Sequence, residues 1–371
     1  MTPGFALSRA LSVARKEVRH ILRDPFTLAA SLGLPAVLVV FFGFVMDFDV
    51  RDVGLFVHDS DQSRPSRELA EVFEASKYFR LNREPPVSDP VRELDSGAAK
   101  AVLIIPPRFG RDVLKGDGAA QLLLDGADNL TAGVILQYLS GVAAAAAARW
   151  GPSQAPVPGV RSRFLFNPEL ASRWFVVPGL AAVIIGLLAV LMTALTVARE
   201  WERGSMELLL STPVRPLEII FGKIAPYSVL GMGAVGLVYA TSRLVFHIPF
   251  KGSLVLFFAV SFLFLATCLA QGILISVATR QQPLAMQISF ITGLLPSLLL
   301  SGFIFPIESM SLPFRILTSV LPVRWFMVVA RGIFLKGAGA ADLAGPLGVL
   351  ALMGFLFITL AARKFKTDLE P

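Results

Sequence analysis

Hydrophobic and polar positions divide this chain into an amphipathic leader, six long apolar stretches and one mixed insert. The apolar stretches fall at about 26–46, 174–197, 224–242, 253–276, 284–305 and 343–362. Each approaches the roughly 20 apolar residues a helix needs to cross about 30 Å of hydrocarbon. Each is almost free of charged side chains, which are costly at bilayer depth. The pattern predicts an α-helical polytopic membrane protein with about six transmembrane helices. Composition agrees, since 54% of the 371 residues are hydrophobic and only 16% are charged. A soluble domain is nearer a quarter charged. The first stretch, 26–46, is expected to remain as a span. It is longer than a signal-peptide core and ends in Met46-Asp47-Phe48 rather than in small residues.

Residues 1–25 read as an amphipathic helix. Leu7, Leu11, Ala14, Val18, Ile21 and Leu22 recur at helical spacing, with Ser12, Arg15, Lys16, Arg19 and Arg23 on the other face. Such a helix lies in the headgroup plane with its basic side toward anionic lipid. A short helix packed on the protein is the plainer alternative.

Basic residues beside short loops set orientation. Arg9, Arg15, Lys16, Arg19 and Arg23 precede the first span, and Arg363, Lys364 and Lys366 follow the last. An even number of spans puts both ends on one side, which is expected to be the cytoplasm, with 363–371 a cytoplasmic tail. Arg315, Arg324, Arg331 and Lys336 oppose this, although their connection is long enough to weaken the objection.

Residues 47–173 then form an extracytoplasmic domain. Its short apolar runs at 53–59, 98–106 and 119–126 are bounded by turn residues, as buried strands are. Ser66–Tyr78, Phe109–Lys115 and Thr131–Trp150 look helical, and alternation of the two kinds predicts an inserted α/β module. Pro152, Pro156 and Pro158 break the chain before it returns to the membrane at Ser172-Arg173-Trp174.

Recognisable catalytic chemistry is absent from the sequence. Cys268 is the single cysteine, and His20, His58 and His247 are far apart, so no disulfide, cysteine cluster or H-E-x-x-H metal site is expected. There is no P-loop G-x-x-x-x-G-K-[ST] and no G-x-S-x-G elbow.

The informative segment joins the second and third spans, in a loop taken as 198–223. Arg199, Glu200, Glu202 and Arg203 form a polar cluster, followed by Gly204, then Met206, Leu208, Leu209 and Leu210, with Pro213 and Pro216 ending the element. Apolar anchors with flanking charges suit docking to another protein. A merely solvated loop fits the same residues.

This loop resembles the signature loop of type-2 ABC exporter permeases. Arg199, Glu200, Glu202, Gly204, Glu207, Leu209, Leu210, Pro213, Glu218, Gly222 and Lys223 occupy the pattern's positions, and Ser205 replaces its threonine. "ARKEVRHILRDP" (14–25) is similar to the family's elbow helix. "LSGFIFPIESM" (300–310) and "LPVRWFMVVARGIFLKG" (321–337) are similar to its outer segments. The similarity spans nearly the whole chain, and the large insert places it with the drug-efflux-like subgroup.

The resemblance implies an ATP-driven exporter in the inner membrane of a bacterium. Two permease chains, identical or different, would pair with two ABC ATPase subunits that bind ATP and Mg. Arg199, Glu200, Glu202, Arg203 and Glu207 would contact the ATPase or brace the coupling helix, while Gly204 permits a turn. An outer re-entrant segment over 306–337 is expected, with Phe303, Phe305, Pro306 and Trp325 as an outer gate or as an interfacial aromatic belt. Gly231, Gly233 and Gly236 allow close helix approach in the third span, within the chain or in a dimer.

A hydrophobic or amphipathic substrate, drug-like or lipid-like, is expected to leave from the cytoplasm or inner leaflet, because few polar groups line the spans. The ectodomain could dock a periplasmic adaptor protein or drive dimerisation. Besides these proteins and the lipid bilayer, no nucleic acid partner is expected. The competing classes are a membrane-anchored ligand-sensing protein and an ion-coupled carrier. The latter calls for midplane carboxylates or interrupted repeats, and neither is evident.

Overall fold

The longest helix organises the membrane part. Helix 173–202, an uninterrupted apolar run closed by Arg199, Glu200 and Glu202, extends for 30 residues, or about 45 Å at 1.5 Å per residue. That length exceeds the hydrocarbon thickness, so its polar end projects beyond the apolar layer. The computed structural model describes residues 5–45, 53–76, 78–82, 101–124, 135–136, 138–139, 141–143, 145–146, 173–305, 307 and 310–365. The chain divides into two compact units: Met1–Asp47 with Ala171–Pro371, and Phe48–Leu170.

In the membrane unit, α1 (Leu7–Arg23) leads into α2 (Pro25–Val45). In the second unit come β1 (Val53–Asp59), α3 (Arg64–Ala75), β2 (Phe79–Asn82), β3 (Ala101–Ile105), α4 (Phe109–Lys115) and β4 (Gln121–Leu124). The chain returns with α5 (Arg173–Glu202), the short α6 (Ser205–Leu210), α7 (Pro216–Leu244), α8 (Leu254–Thr279) and α9 (Gln282–Leu300). Then follow α10 (Leu312–Thr318), α11 (Pro322–Arg331, extended to Lys336 by a π turn) and α12 (Ala344–Lys364).

Among the described residues, six helices are long and apolar enough to cross a membrane: Thr27–Val45, Val176–Glu202, Pro216–Leu244, Leu254–Thr279, Gln282–Leu300 and Ala344–Lys364. The α5 helix packs most extensively on α8, and α8 in turn on α12. Gly272 makes the first contact close, since a Cβ there would lie 2.3 Å from the Val190 carbonyl oxygen. The α10–α11 pair bends by 82° at its break, and neither arm has the roughly 20 residues of a crossing.

Two helix ends differ from the hydropathy reading for identifiable reasons. The third span starts at Pro216 rather than near 224, because the charges that interrupt its apolar pattern, Glu218 and Lys223, are both buried against partners. The fifth stops at Leu300 rather than 305, where Gly302 turns the chain at φ +82°, and inside it a π turn at Phe290–Leu294 sits just ahead of Pro296. Proline supplies no N–H to the helical ladder and displaces the turn before it.

The α1 helix sorts its residues into more faces than a two-sided wheel. Ala10, Val13, Glu17 and Ile21 are buried against the protein. Leu7, Leu11, Val18 and Leu22 stay exposed as an apolar stripe, and the basic residues occupy the remaining face. The protein-packed reading of this segment therefore describes its buried face.

In the inserted unit the sheet order is β2-β1-β3-β4, with β1 parallel to β2 and β3, and β3 antiparallel to β4. Alternate residues Ala101, Leu103 and Ile105 join Leu55 in a core shared with Leu69, Val72 and Phe73 of α3. Ile135, Tyr138, Val142 and Ala146, at helical spacing, complete that core. The α3 helix starts earlier than the predicted 66 because Ser63 caps it, accepting from the Ser66 N–H, with Pro65 in its first turn. Strand β2 was not predicted; its residues Phe79-Arg80-Leu81-Asn82 hold no continuous apolar run of the kind that marks β4. Much of the predicted helix Thr131–Trp150 lies outside the described residues.

Candidate coupling site

The site begins where α5 runs out. Its last turn carries Arg199, Glu200 and Glu202; the chain then reverses through Gly204 at φ +70°, a left-handed conformation that glycine adopts without a steric cost. Next comes α6, one and a half turns anchored by Met206, which is fully buried. The opposite side of α6 presents Glu207 and Leu208, both exposed, the latter at 74%. A short turn, Ser211 to Val214, leads to α7.

Glu218 fastens the start of α7. Its carboxylate accepts from the Arg215 N–H at 2.9 Å, capping α7, and from the Ala6 N–H at 2.7 Å, capping α1. Arg9 adds a two-pronged ion pair, Nε to Oε2 at 2.9 Å and Nη2 to Oε1 at 2.7 Å. One fully buried carboxylate therefore satisfies orphan donors at two helix N-termini, where negative charge is favoured. One turn on, Gly222 permits α1 to lie against α7: a Cβ there would come within 2.7 Å of Val13 Cβ and 2.8 Å of the Ala10 carbonyl oxygen.

Beneath that contact lies a closed ring of four charges. Lys223, 1% exposed, places Nζ 2.8 Å from Glu17 Oε1 and 3.0 Å from Glu200 Oε2. The first is a hydrogen-bonded pair; the second is at ion-pair distance without hydrogen-bond geometry. Lys16 completes the ring by bonding Glu200 Oε1 and standing 3.9 Å from Glu17. Isolated buried charges are prohibitively costly, so Glu17, Glu200 and Lys223 depend on one another, while Lys16 is half exposed. The ring ties α1, the end of α5 and the start of α7 into one block.

A second tie runs to the α8–α9 connection. Glu202 accepts from the Gln282 N–H at 2.7 Å and from its side-chain amide, and Arg199 Nε donates to Gln282 Oε1 at 3.3 Å. The Arg280 guanidinium lies 4.5 Å from the Trp201 ring. Arg203 is exposed and borders an open cavity of about 420 Å³ between α1 and the α5 end.

The five loop candidates therefore occupy three places. Arg199, Glu200 and Glu202 bond to neighbouring helices, Arg203 borders the cavity together with Arg199 and Glu200, and Glu207 stands on the free face of α6. Lys16, Glu17 and Gln282 were missed by sequence reasoning. Glu17 had a signal: it is the acid among the basic residues of α1 and falls in register with Ala10, Val13 and Ile21.

The gate candidates lie toward the other end of α5. Phe303 is buried, its ring 2.6 Å from where a Cβ on Gly179 would be. Trp325 donates its indole N–H to the Ser319 carbonyl at 2.9 Å, with the Arg324 guanidinium over its ring. Phe305 is half exposed, and Pro306 lies outside the described residues. In α7, a Cβ on Gly231 would lie 2.9 Å from Leu265 and one on Gly233 3.0 Å from Leu32, so both serve packing within the chain; Gly236 faces open space.

A bundle of membrane-length apolar helices with a braced loop helix, exposed on one face, is the architecture of a polytopic membrane protein. The ABC-2 family transporter protein model matches residues 25–363. "Probable multidrug ABC transporter permease YbhS" of Escherichia coli K12 is 32% identical over 99% of both chains. "Probable multidrug ABC transporter permease YbhR" of the same organism is 30% identical over 89% of this chain and 90% of its own. "Inner membrane transport permease YhhJ" is 29% identical over 97% of both. The chain belongs to the ABC-2 transporter family and is the permease subunit of an ABC exporter, working with an ATPase carried on a separate partner.

Proposed function

We propose that this permease exports hydrophobic or amphipathic molecules, drug-like or lipid-like, and that α6 is the element through which its ATPase drives it. The observation that carries the coupling role is the charge ring Lys16–Glu200–Lys223–Glu17, three of whose members are buried. Movement imposed on α6 passes directly to the α5 end, and the ring shares it with α1 and α7, because pulling Lys223 away from Glu17 and Glu200 strands buried charges. Glu207 and Leu208 contact the ATPase. Arg199, Glu200 and Glu202 brace the loop from behind.

In this reading ATP and Mg are bound and consumed by the ATPase, and two permease chains form the path. The α6 side, with both termini, is cytoplasmic, which puts the α/β unit outside, where it meets an adaptor protein. The relatives' multidrug and inner-membrane names support the substrate class and the bacterial inner membrane. Phe303 and Trp325, at the far end of α5 from α6, belong to the outer gate.

The test is reconstitution of the chain with its ATPase in lipid, followed by ATP hydrolysis across a panel of amphipathic compounds. Stimulation that Glu207→Ala and Leu208→Ala both reduce supports the proposal. An ATPase that binds and is stimulated equally by both variants overturns the assignment of α6.

A further inference from the structure

The cavity beside Arg203 holds more positive charge than coupling requires. Its walls include the four-charge ring, which is neutral in sum, plus Arg19, His20 and Arg23 of α1 and Arg199 and Arg203 from the α5 end. Among the described residues, no acid besides Glu17 and Glu200 lines it, and both are committed to Lys223 and Lys16. Arg19, His20, Arg23 and Arg203 make no side-chain hydrogen bond or ion pair among the described residues. At about 420 Å³ the space lies within the range of small-molecule sites. A cleft lined by one sign of charge focuses its field and concentrates counter-ions.

The cavity's position says which anion. It opens on α1, whose stripe of Leu7, Leu11, Val18 and Leu22 is exposed and suits the headgroup–acyl boundary. We propose that this cavity is a binding site for the phosphate headgroup of an anionic phospholipid from the leaflet in which α1 lies. The arginines of α1 and of the α5 end grip the phosphate from two sides, as guanidinium forks do. A bound lipid then bridges α1 to the coupling loop, so membrane composition tunes how firmly that loop is held. The inference stands on the cavity and its charges, independently of what the protein exports.

The test is native mass spectrometry of the purified full chain titrated with phosphatidylglycerol or phosphatidylcholine. The expected result is selective retention of phosphatidylglycerol, reduced about tenfold by Arg19→Gln with Arg23→Gln, as for a lost charge-assisted hydrogen bond. Arg15→Gln, an exposed cation of α1 outside the cavity, should change retention by less than about twofold. Equal loss in Arg15→Gln means diffuse attraction and overturns the site. Displacement by millimolar inorganic phosphate without any lipid preference assigns the cavity to a free anion and overturns the lipid. Release of lipid when the ATPase docks, in a molar ratio of one to one, gives the cavity to an acidic segment of that partner and likewise overturns it.

Discussion

Lys223 and Glu17 are 206 positions apart in the chain and 2.8 Å apart in space, both almost wholly buried. The pair stands at the crossing of α1 and α7, with Glu200 at the third corner. Removing one member of a buried ion pair costs about 3–5 kcal/mol, while replacing the pair by apolar residues is often neutral. Lys223→Met should therefore lower the thermal midpoint of the purified protein sharply. Lys223→Met with Glu17→Met should recover part of that loss. An additive double variant would show that the two charges do not act as a unit.

Glu218 holds two helix N-termini at once, so Glu218→Gln should loosen α1 more than any other element. Losing the charge-assisted bonds from Arg9 and the backbone is worth about 1.5–3 kcal/mol. Hydrogen exchange over residues 6–12 should accelerate, with exchange in β1 and β3 unchanged. Uniform protection in the variant would count against the clamp.

Gly222→Leu tests the same contact by steric means. The added side chain must enter space held by Val13 and the Ala10 carbonyl, and overpacking typically costs about 1–3 kcal/mol. Limited proteolysis should then cut within α1 while the spans survive; resistance equal to the parent protein would oppose the packing described.

Glu207→Ala and Leu208→Ala alter exposed side chains and should change stability by no more than about 0.5 kcal/mol. Their expected effect is on ATP hydrolysis stimulated by substrate. A fall in the thermal midpoint comparable to that of Lys223→Met would instead make them structural.

In the inserted unit, Asp61 caps the loop before α4, accepting from the Arg108 and Gly110 N–H groups, each at 2.8 Å. The Ser63 side chain and these backbone donors hold its carboxyl below the ordinary value near 3.8. Since the folded-state value is the lower, the contribution is complete above the unfolded value and fades as pH falls below about 4. Asp61→Asn should lower the unit's thermal midpoint at pH 7, with the difference from the parent protein closing as pH falls below about 4, so that the variant's acid limb is flatter. An identical acid limb in both proteins would remove Asp61 from the account.

Hydrophobic run length alone fixes the membrane class and the number of long spans, because spanning imposes a minimum length and forbids free charge. The loop's composition also marked it, since charges, a glycine and prolines cluster there between two apolar runs. Other features were hidden for physical reasons. The true start of α7 was concealed by Glu218 and Lys223, whose polarity argues against burial until their partners are known. Strand β2, with Arg80 and Asn82 among its four residues, lacks the continuous apolar run that marks the other strands.

Sequence by itself determined that this chain crosses a membrane several times, carries a strand-and-helix insert after the first span, and presents a charged loop resembling a coupling loop. Those properties follow from local composition and periodicity. Only the tertiary structure decided which side of that loop braces and which side is free. It also brought Lys16 and Glu17 from the leader to Glu200 and Lys223, and made a cationic cavity from two segments nearly two hundred residues apart. Charge pairing depends on distance in space, and distance along the chain carries no trace of it.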